Sequence, residues 1–88
     1  MRTLTYDIPE GKKINNVKFA TKLVSKACDY SNEEILIKTD DNNFVDLKSI
    51  MGVLTLHYNN AKHIVINIKG TYEDECAEDL RNYIQQIL

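Results

Sequence analysis

The sequence predicts an α+β fold: a four-stranded antiparallel sheet with three helices on one face, an open-faced β-sandwich in the order β-α-β-β-α-β-α. Three observations carry that prediction. Apolar residues alternate along 2–8 and again along 62–69; they recur at helical steps in 17–29 and from residue 76 onward; and the polar run Asp40-Asp41-Asn42-Asn43 joins two short apolar segments as a hairpin turn would. At 88 residues the chain holds a single domain, 1–88, with no repeat or linker to divide it.

Each element follows from local pattern. Leu4, Tyr6 and Ile8 share one side of the first strand, and Thr3, Thr5 and Asp7 the other. Pro9-Glu10-Gly11-Lys12-Lys13 breaks the alternation with turn residues and charge. Ala20, Leu23, Val24 and Ala27 then predict a helix over 17–29 with Asn15 or Asn16 as its N-cap. Glu34-Ile35-Leu36-Ile37-Lys38 reads as a strand, paired through the polar turn with Phe44-Val45-Asp46-Leu47. Ser49 opens a short helix ending at Leu56, in which Gly52 lowers intrinsic stability, so tertiary packing has to hold it. Ile64, Ile66 and Ile68 define the buried face of the fourth strand. After Gly70, Thr71 and Asp74 have the spacing of a capping box ahead of Cys76, Leu80, Ile84 and Ile87, an amphipathic helix running to the C-terminus. Glu73, Asp74 and Glu75 fall in its first turn, where the helix dipole favours carboxylates, so this acidic cluster reads as a helix start and not a metal site.

Composition narrows the function classes. A hydrophobic share of 43% with 3 Gly and 1 Pro is that of a globular chain. Eleven Lys and Arg against 13 Asp and Glu, net −2, leave no broad basic field for nucleic acid or an anionic membrane. No apolar run approaches the roughly 20 residues of a membrane span, and Met1–Asp7 lacks the apolar core of a secretion signal, so a cytoplasmic location is expected. Cys28 and Cys76 form no CxxC pair and read as buried free thiols. His57 and His63, without paired carboxylates nearby in sequence, do not make a metal site; no cofactor is expected. His63 opens a strand and reads as an exposed sheet residue.

At Ala20-Thr21-Lys22-Leu23-Val24-Ser25-Lys26-Ala27, and above all at Leu47-Lys48-Ser49-Ile50-Met51-Gly52-Val53-Leu54-Thr55-Leu56, the chain resembles HPr, the histidine-containing phosphocarrier family of the bacterial phosphotransferase system. The resemblance runs from about Asn16 into the last helix, and Gly70 and the acidic start of that helix fit it. It implies the HPr open-faced sandwich, a non-enzymatic protein, and a place in sugar transport or its regulation. It also implies a departure at the chemistry. The family carries a Gly-(Leu/Ile)-His-Ala-Arg-Pro-Ala stretch at the start of the first helix, and the matching stretch is Ile14-Asn15-Asn16-Val17-Lys18-Phe19-Ala20. Asn16 then stands at the phospho-acceptor position, Lys18 replaces the Arg and Phe19 the Pro. A carboxamide nitrogen is delocalised into its carbonyl and offers no lone pair comparable to that of imidazole, so Asn16 does not accept phosphorus as histidine does. Lys18 keeps the charge but loses the planar fork that matches phosphate.

Ser49 matches the serine that a dedicated HPr kinase phosphorylates in many Gram-positive bacteria; it serves equally well as an unmodified N-cap. Ile50, Met51, Leu54 and His57 lie on one face of the short helix, Val53 and Leu56 on the adjacent one. If the latter point inward, the former make an exposed docking patch; otherwise they add to the core. The resulting expectation is a non-relay regulatory protein, similar to the catabolite-repression HPr-like proteins. Its expected partner-binding residues are Asn16, Lys18, Phe19, Ile50, Met51, Leu54 and His57. Its partners are proteins of the phosphotransferase system or a catabolite-control regulator, with an HPr kinase acting on Ser49, and it is a monomer or weak dimer. Two alternatives stay open: a phosphocarrier using His57, or an interaction module with no phosphorylation chemistry.

Overall fold

The computed structural model describes residues 1–9, 16–40, 43–56 and 61–87. Seven elements follow one another: β1 (Arg2–Asp7), α1 (Asn16–Ala27), β2 (Glu34–Thr39), β3 (Val45–Asp46), α2 (Ile50–Leu54), β4 (His63–Lys69) and α3 (Glu73–Ile87). The sheet order is β1-β4-β2-β3, with every pair antiparallel. β4 is central: it sets Leu4 opposite Ile66 on one side and Ile37 opposite Ile66 on the other. Register of this kind is enforced by burial, since a slip of one residue would turn Ile64, Ile66 and Ile68 to water.

Leu4, Ile35, Ile37, Ile64, Ile66 and Ile68 form the covered face of the sheet, and Phe19, Ala20, Leu23, Ala27, Val53, Cys76, Ala77, Leu80 and Ile84 pack over them from the helices. α3 lies against β1 and β4, α1 against α2 and α3, and α2 against β3. The opposite face stays open, with Thr3, Thr5, Glu34, His63 and Lys69 exposed. Each fully buried Leu or Ile contributes about 1.5–3 kcal/mol of transfer free energy, which makes this one face the source of cohesion.

The α+β expectation and the element order hold, and several details change. α1 starts at Asn16; residue 15 and His57, with the side chain of Asn16 on which its capping reading rests, lie outside the described residues. α1 closes at Ala27, where Tyr30 N–H bonds the Ala27 carbonyl at 3.0 Å. β3 shrinks to two residues because the Asp46 carboxylate accepts the Lys48 N–H at 2.9 Å and turns the chain out of the ladder. Cys28 is exposed, one residue past the end of α1, while Cys76 is buried.

The capping box at Thr71 is absent, since α3 begins at Glu73. The Tyr72 N–H is instead taken at 2.9 Å by the carboxylate of Glu33, a residue 4% exposed. Gly70 makes this possible: a Cβ there would lie 2.9 Å from Glu33 Cγ and 3.1 Å from Glu33 Cα. The Glu33 carbonyl also receives the ammonium of Lys48. One residue, through its carboxylate and its carbonyl, thereby ties the β2 start, the α2 approach and the α3 start together.

Candidate functional site

The α2 segment is set by Ser49, whose extended backbone (φ −106°, ψ 106°) and Oγ, accepting the Gly52 N–H at 3.4 Å, start the helix. The Thr55 hydroxyl and backbone N–H both return to the Gly52 carbonyl at the other end. Between these caps Val53 is fully buried and, just beyond, Leu56 is 2% exposed, whereas Met51 is 77% exposed and Ile50 and Leu54 37% each. Of the two arrangements the sequence left open, Val53 and Leu56 point inward and Ile50, Met51 and Leu54 outward. Three large apolar side chains thus remain in water on a helix of five residues.

α1 divides in the same way. Phe19, Ala20, Leu23 and Ala27 are buried, and Val17, Lys18, Thr21 and Lys22 are exposed and line a shallow depression of about 590 Å³. The expectation that Phe19 meets a partner is therefore corrected: it is 5% exposed and belongs to the core. Positions 19, 20, 23 and 27 fall on one helical stripe, and that spacing already pointed inward. Lys18 keeps an exposed place on the outer stripe. α1 packs on α2, so a cationic, partly apolar surface and the patch of Ile50, Met51 and Leu54 belong to adjoining helices on one side of the molecule.

A polar seam joins α1 and the residues after it to α3. Asp79 Oδ2 accepts the Lys26 ammonium at 3.0 Å and a hydrogen bond from the Tyr30 hydroxyl. The two bonds, led by Tyr30, hold the Asp79 carboxyl below its ordinary range against partial burial, and the bond to Asp79 drives the Tyr30 phenol and the Lys26 ammonium upward. Lys26 also sits 5.5 Å from the Tyr83 ring centre. Desolvation raises the Cys76 thiol to about 11.

On the open face, His63 Nδ1–H donates to Asp7 Oδ1 at 2.8 Å across the β4–β1 pair. Its exposure is as expected; the partnership with Asp7 was missed, although both residues sit at strand ends that an antiparallel pairing brings together. Among the described residues, no group of three or more His, Cys, Asp or Glu is placed to hold a metal ion, and no helix is long and apolar enough to cross a membrane.

The architecture is an open-faced sandwich whose α2 exposes Ile50, Met51 and Leu54 over a closed core. The family model described as the PTS HPr component phosphorylation site matches residues 9–86, and the chain belongs to that family, whose members are phosphocarriers and not enzymes. Among solved structures, the chain is similar to HPr-C-His from Thermoanaerobacter tengcongensis, at 26% identity and TM-score 0.78, over 97% of this chain and 92% of that one. The histidine-containing phosphocarrier protein of a Mycoplasma has the same fold, at 20% identity and TM-score 0.72, covering 94% and 91%. So does the catabolite repression protein Crh of Bacillus subtilis, at 21% identity and TM-score 0.68, covering 92% and 97%. No curated protein sequence matches the chain significantly.

Proposed function

We propose that this chain is a regulatory HPr-family protein that does not relay phosphorus through the start of α1 and acts by binding proteins of the phosphotransferase system or a catabolite-control regulator. The observation that carries the reading is the exposure of Ile50, Met51 and Leu54 beside a buried Val53 and Leu56. A five-residue helix does not leave three such side chains in water for its own stability. Lys18 and Lys22 on the adjoining α1 face add positive charge for a partner that is apolar at its centre and acidic at its rim.

Asn16 opens α1 where the resemblance places the acceptor histidine, and an amide there supports binding without transfer. Ser49 is the regulatory site in this reading. Its half-buried hydroxyl caps α2 next to the exposed patch, so a phosphate of about −2 charge would alter both the cap and the docking surface. The similar Crh structure is described as a swapped dimer; we carry over to this chain a monomer in weak exchange with a dimer, in the cytoplasm.

Incubation with enzyme I and phosphoenolpyruvate beside a conventional HPr is expected to label the HPr and leave residues 14–20 of this chain unlabelled. Incubation with an HPr kinase and ATP is expected to add one phosphate at Ser49 by mass spectrometry. Sustained sugar uptake in cells whose only carrier is this chain would overturn the reading.

A further inference from the structure

The sheet ends in two edges of unequal length: β3 has two residues and β1 has six, paired with β4 in unbroken register. The Ile8 N–H donates to the Lys62 carbonyl at 2.8 Å, one step beyond the Asp7–His63 pair. Bonding direction alternates along an antiparallel pair, so Arg2, Leu4 and Tyr6 bond toward β4 as Ile8 does, while Thr3, Thr5 and Asp7 aim their N–H and C=O groups at the free edge. An edge of this length is ordinarily blunted by a bulge, a proline or an unpaired charge. β1 has no bulge, Pro9 comes after the strand, and the charges at its ends are already held, Arg2 by Asp74 at 2.9 Å and Asp7 by His63 at 2.8 Å.

Beside this edge a groove of about 230 Å³ is lined by Thr3, Leu4, Thr5, Tyr6, Arg81 and Gln85. Arg2 meets Asp74, and the Tyr6 hydroxyl feels the charges of Glu78 and Arg81, so α3 runs along β1 with residues 78–81 abreast of its far half. Glu78 and Arg81 are both exposed, and neither has an ion pair among the described residues. We infer that the free edge of β1 pairs antiparallel with β1 of a second copy of this chain, about a two-fold axis at Thr5, joining two four-stranded sheets edge to edge with all helices on one face. Outward residues must meet outward residues, and centring on Thr5 places Thr3 opposite Asp7 of the second copy, which uses every outward position of both strands. On the covered side Leu4 then adjoins Tyr6 of the second copy. With strands about 4.8 Å apart and α3 seated over β1 and β4, the two α3 helices come to about 10 Å, near a packing distance. They run in opposite directions, so Arg81 of each faces Glu78 of the other. This self-complementarity in register and charge selects a second copy over an unrelated strand. Leu4 is already only 3% exposed, so little apolar surface is gained and the pair is weak. The inference rests on the weak-dimer part of the reading above and not on the α2 patch, and it needs no exchange of strands.

Sedimentation of the intact chain up to millimolar concentration, with circular dichroism to confirm that each variant is folded, tests it. A monomer–dimer equilibrium is expected, lost in Thr5→Pro, which removes an outward N–H and leaves the β4 ladder whole. Arg81→Glu is expected to weaken the dimer about 10-fold, since two symmetry-related charge pairs are lost together, and Glu78→Arg combined with Arg81→Glu to recover the original constant. In a chain carrying Cys28→Ser, which removes the exposed thiol, Thr5→Cys is expected to cross-link to itself under mild oxidation and Thr3→Cys to remain uncoupled. Cα atoms about 5.5 Å apart across the axis suit a disulfide. A monomer at every concentration would overturn both this pairing and the weak dimer. A dimer that survives Thr5→Pro, a charge exchange that restores nothing, or cross-linking through Thr3→Cys as fast as through Thr5→Cys would overturn the edge pairing alone and assign the dimer to another surface.

Discussion

α2 and α3 cap the same core and use their apolar residues in opposite ways. α3 runs 15 residues and buries Cys76, Ala77, Leu80 and Ile84, with its first turn acidic and its leading N–H groups held from outside by Glu33 and Gly70. α2 has five residues, buries only Val53, and leaves Ile50, Met51 and Leu54 exposed. Helical periodicity is equally clear in both. What differs is how much of the apolar stripe is covered: α3 holds the fold, whereas α2 is held by it and keeps large apolar side chains exposed.

The sharpest way to break that contrast is a pair of leucines. Leu80→Ala in α3 removes a fully buried side chain and is expected to cost about 2–5 kcal/mol in urea unfolding, while Leu54→Asp in α2 should move stability by no more than about 0.5 kcal/mol and abolish partner capture. Next in size is the α3 start. Gly70→Ala drives a Cβ to within 2.9 Å of Glu33 and should cost about 1–3 kcal/mol, read in the same unfolding experiment.

The α1–α3 seam has a pH signature. The Asp79 carboxyl is held low in the folded chain, so its contribution is complete above the unfolded value of 3.8 and is lost as pH falls through the lower folded value. The Tyr30 phenol is held high, so its share is complete below 10.0 and lost as pH rises beyond that. Tyr30→Phe should therefore cost about 1 kcal/mol at neutral pH and flatten both the acid and the alkaline limbs of a stability profile. The smallest effect belongs to Gly52→Ala. A Cβ there meets Val45 Cβ at 3.5 Å, ordinary contact, and the substitution should stabilise α2 by about 0.5–1 kcal/mol while leaving the docking patch in place.

Much of this was legible in the sequence because it depends on local period. Ile64, Ile66 and Ile68 alternate because one face of β4 is covered, and the split between Val53 with Leu56 and Ile50 with Met51 and Leu54 follows from helical offset. What escaped depends on distant partners. Glu33 reads as a solvated residue ahead of a strand; its burial rests on Tyr72, 39 positions away, and on the missing side chain at Gly70. Nothing within a few residues of Thr71 reveals that its capping role has been taken over. The Lys26–Asp79–Tyr30 cluster and the Asp7–His63 pair likewise join groups from different elements. Phe19 is the opposite case: it stands four residues before Leu23 on the buried stripe, a signal that went unused when the resemblance drew it to the surface.

The lodging of Glu33 beneath residue 70 reaches into how such a chain can drift. Positions 33 and 70 contend for one volume, so a change at 70 leans on a change at 33: removing the acid side chain takes away the contacts at 2.9 and 3.2 Å that a methyl group at 70 would meet, and leaves the one at 3.1 Å to Glu33 Cα. Glu33→Ala combined with Gly70→Ala should then cost less than the two separate losses added, and relatives that abandon glycine at this turn should also have abandoned the carboxylate beneath it.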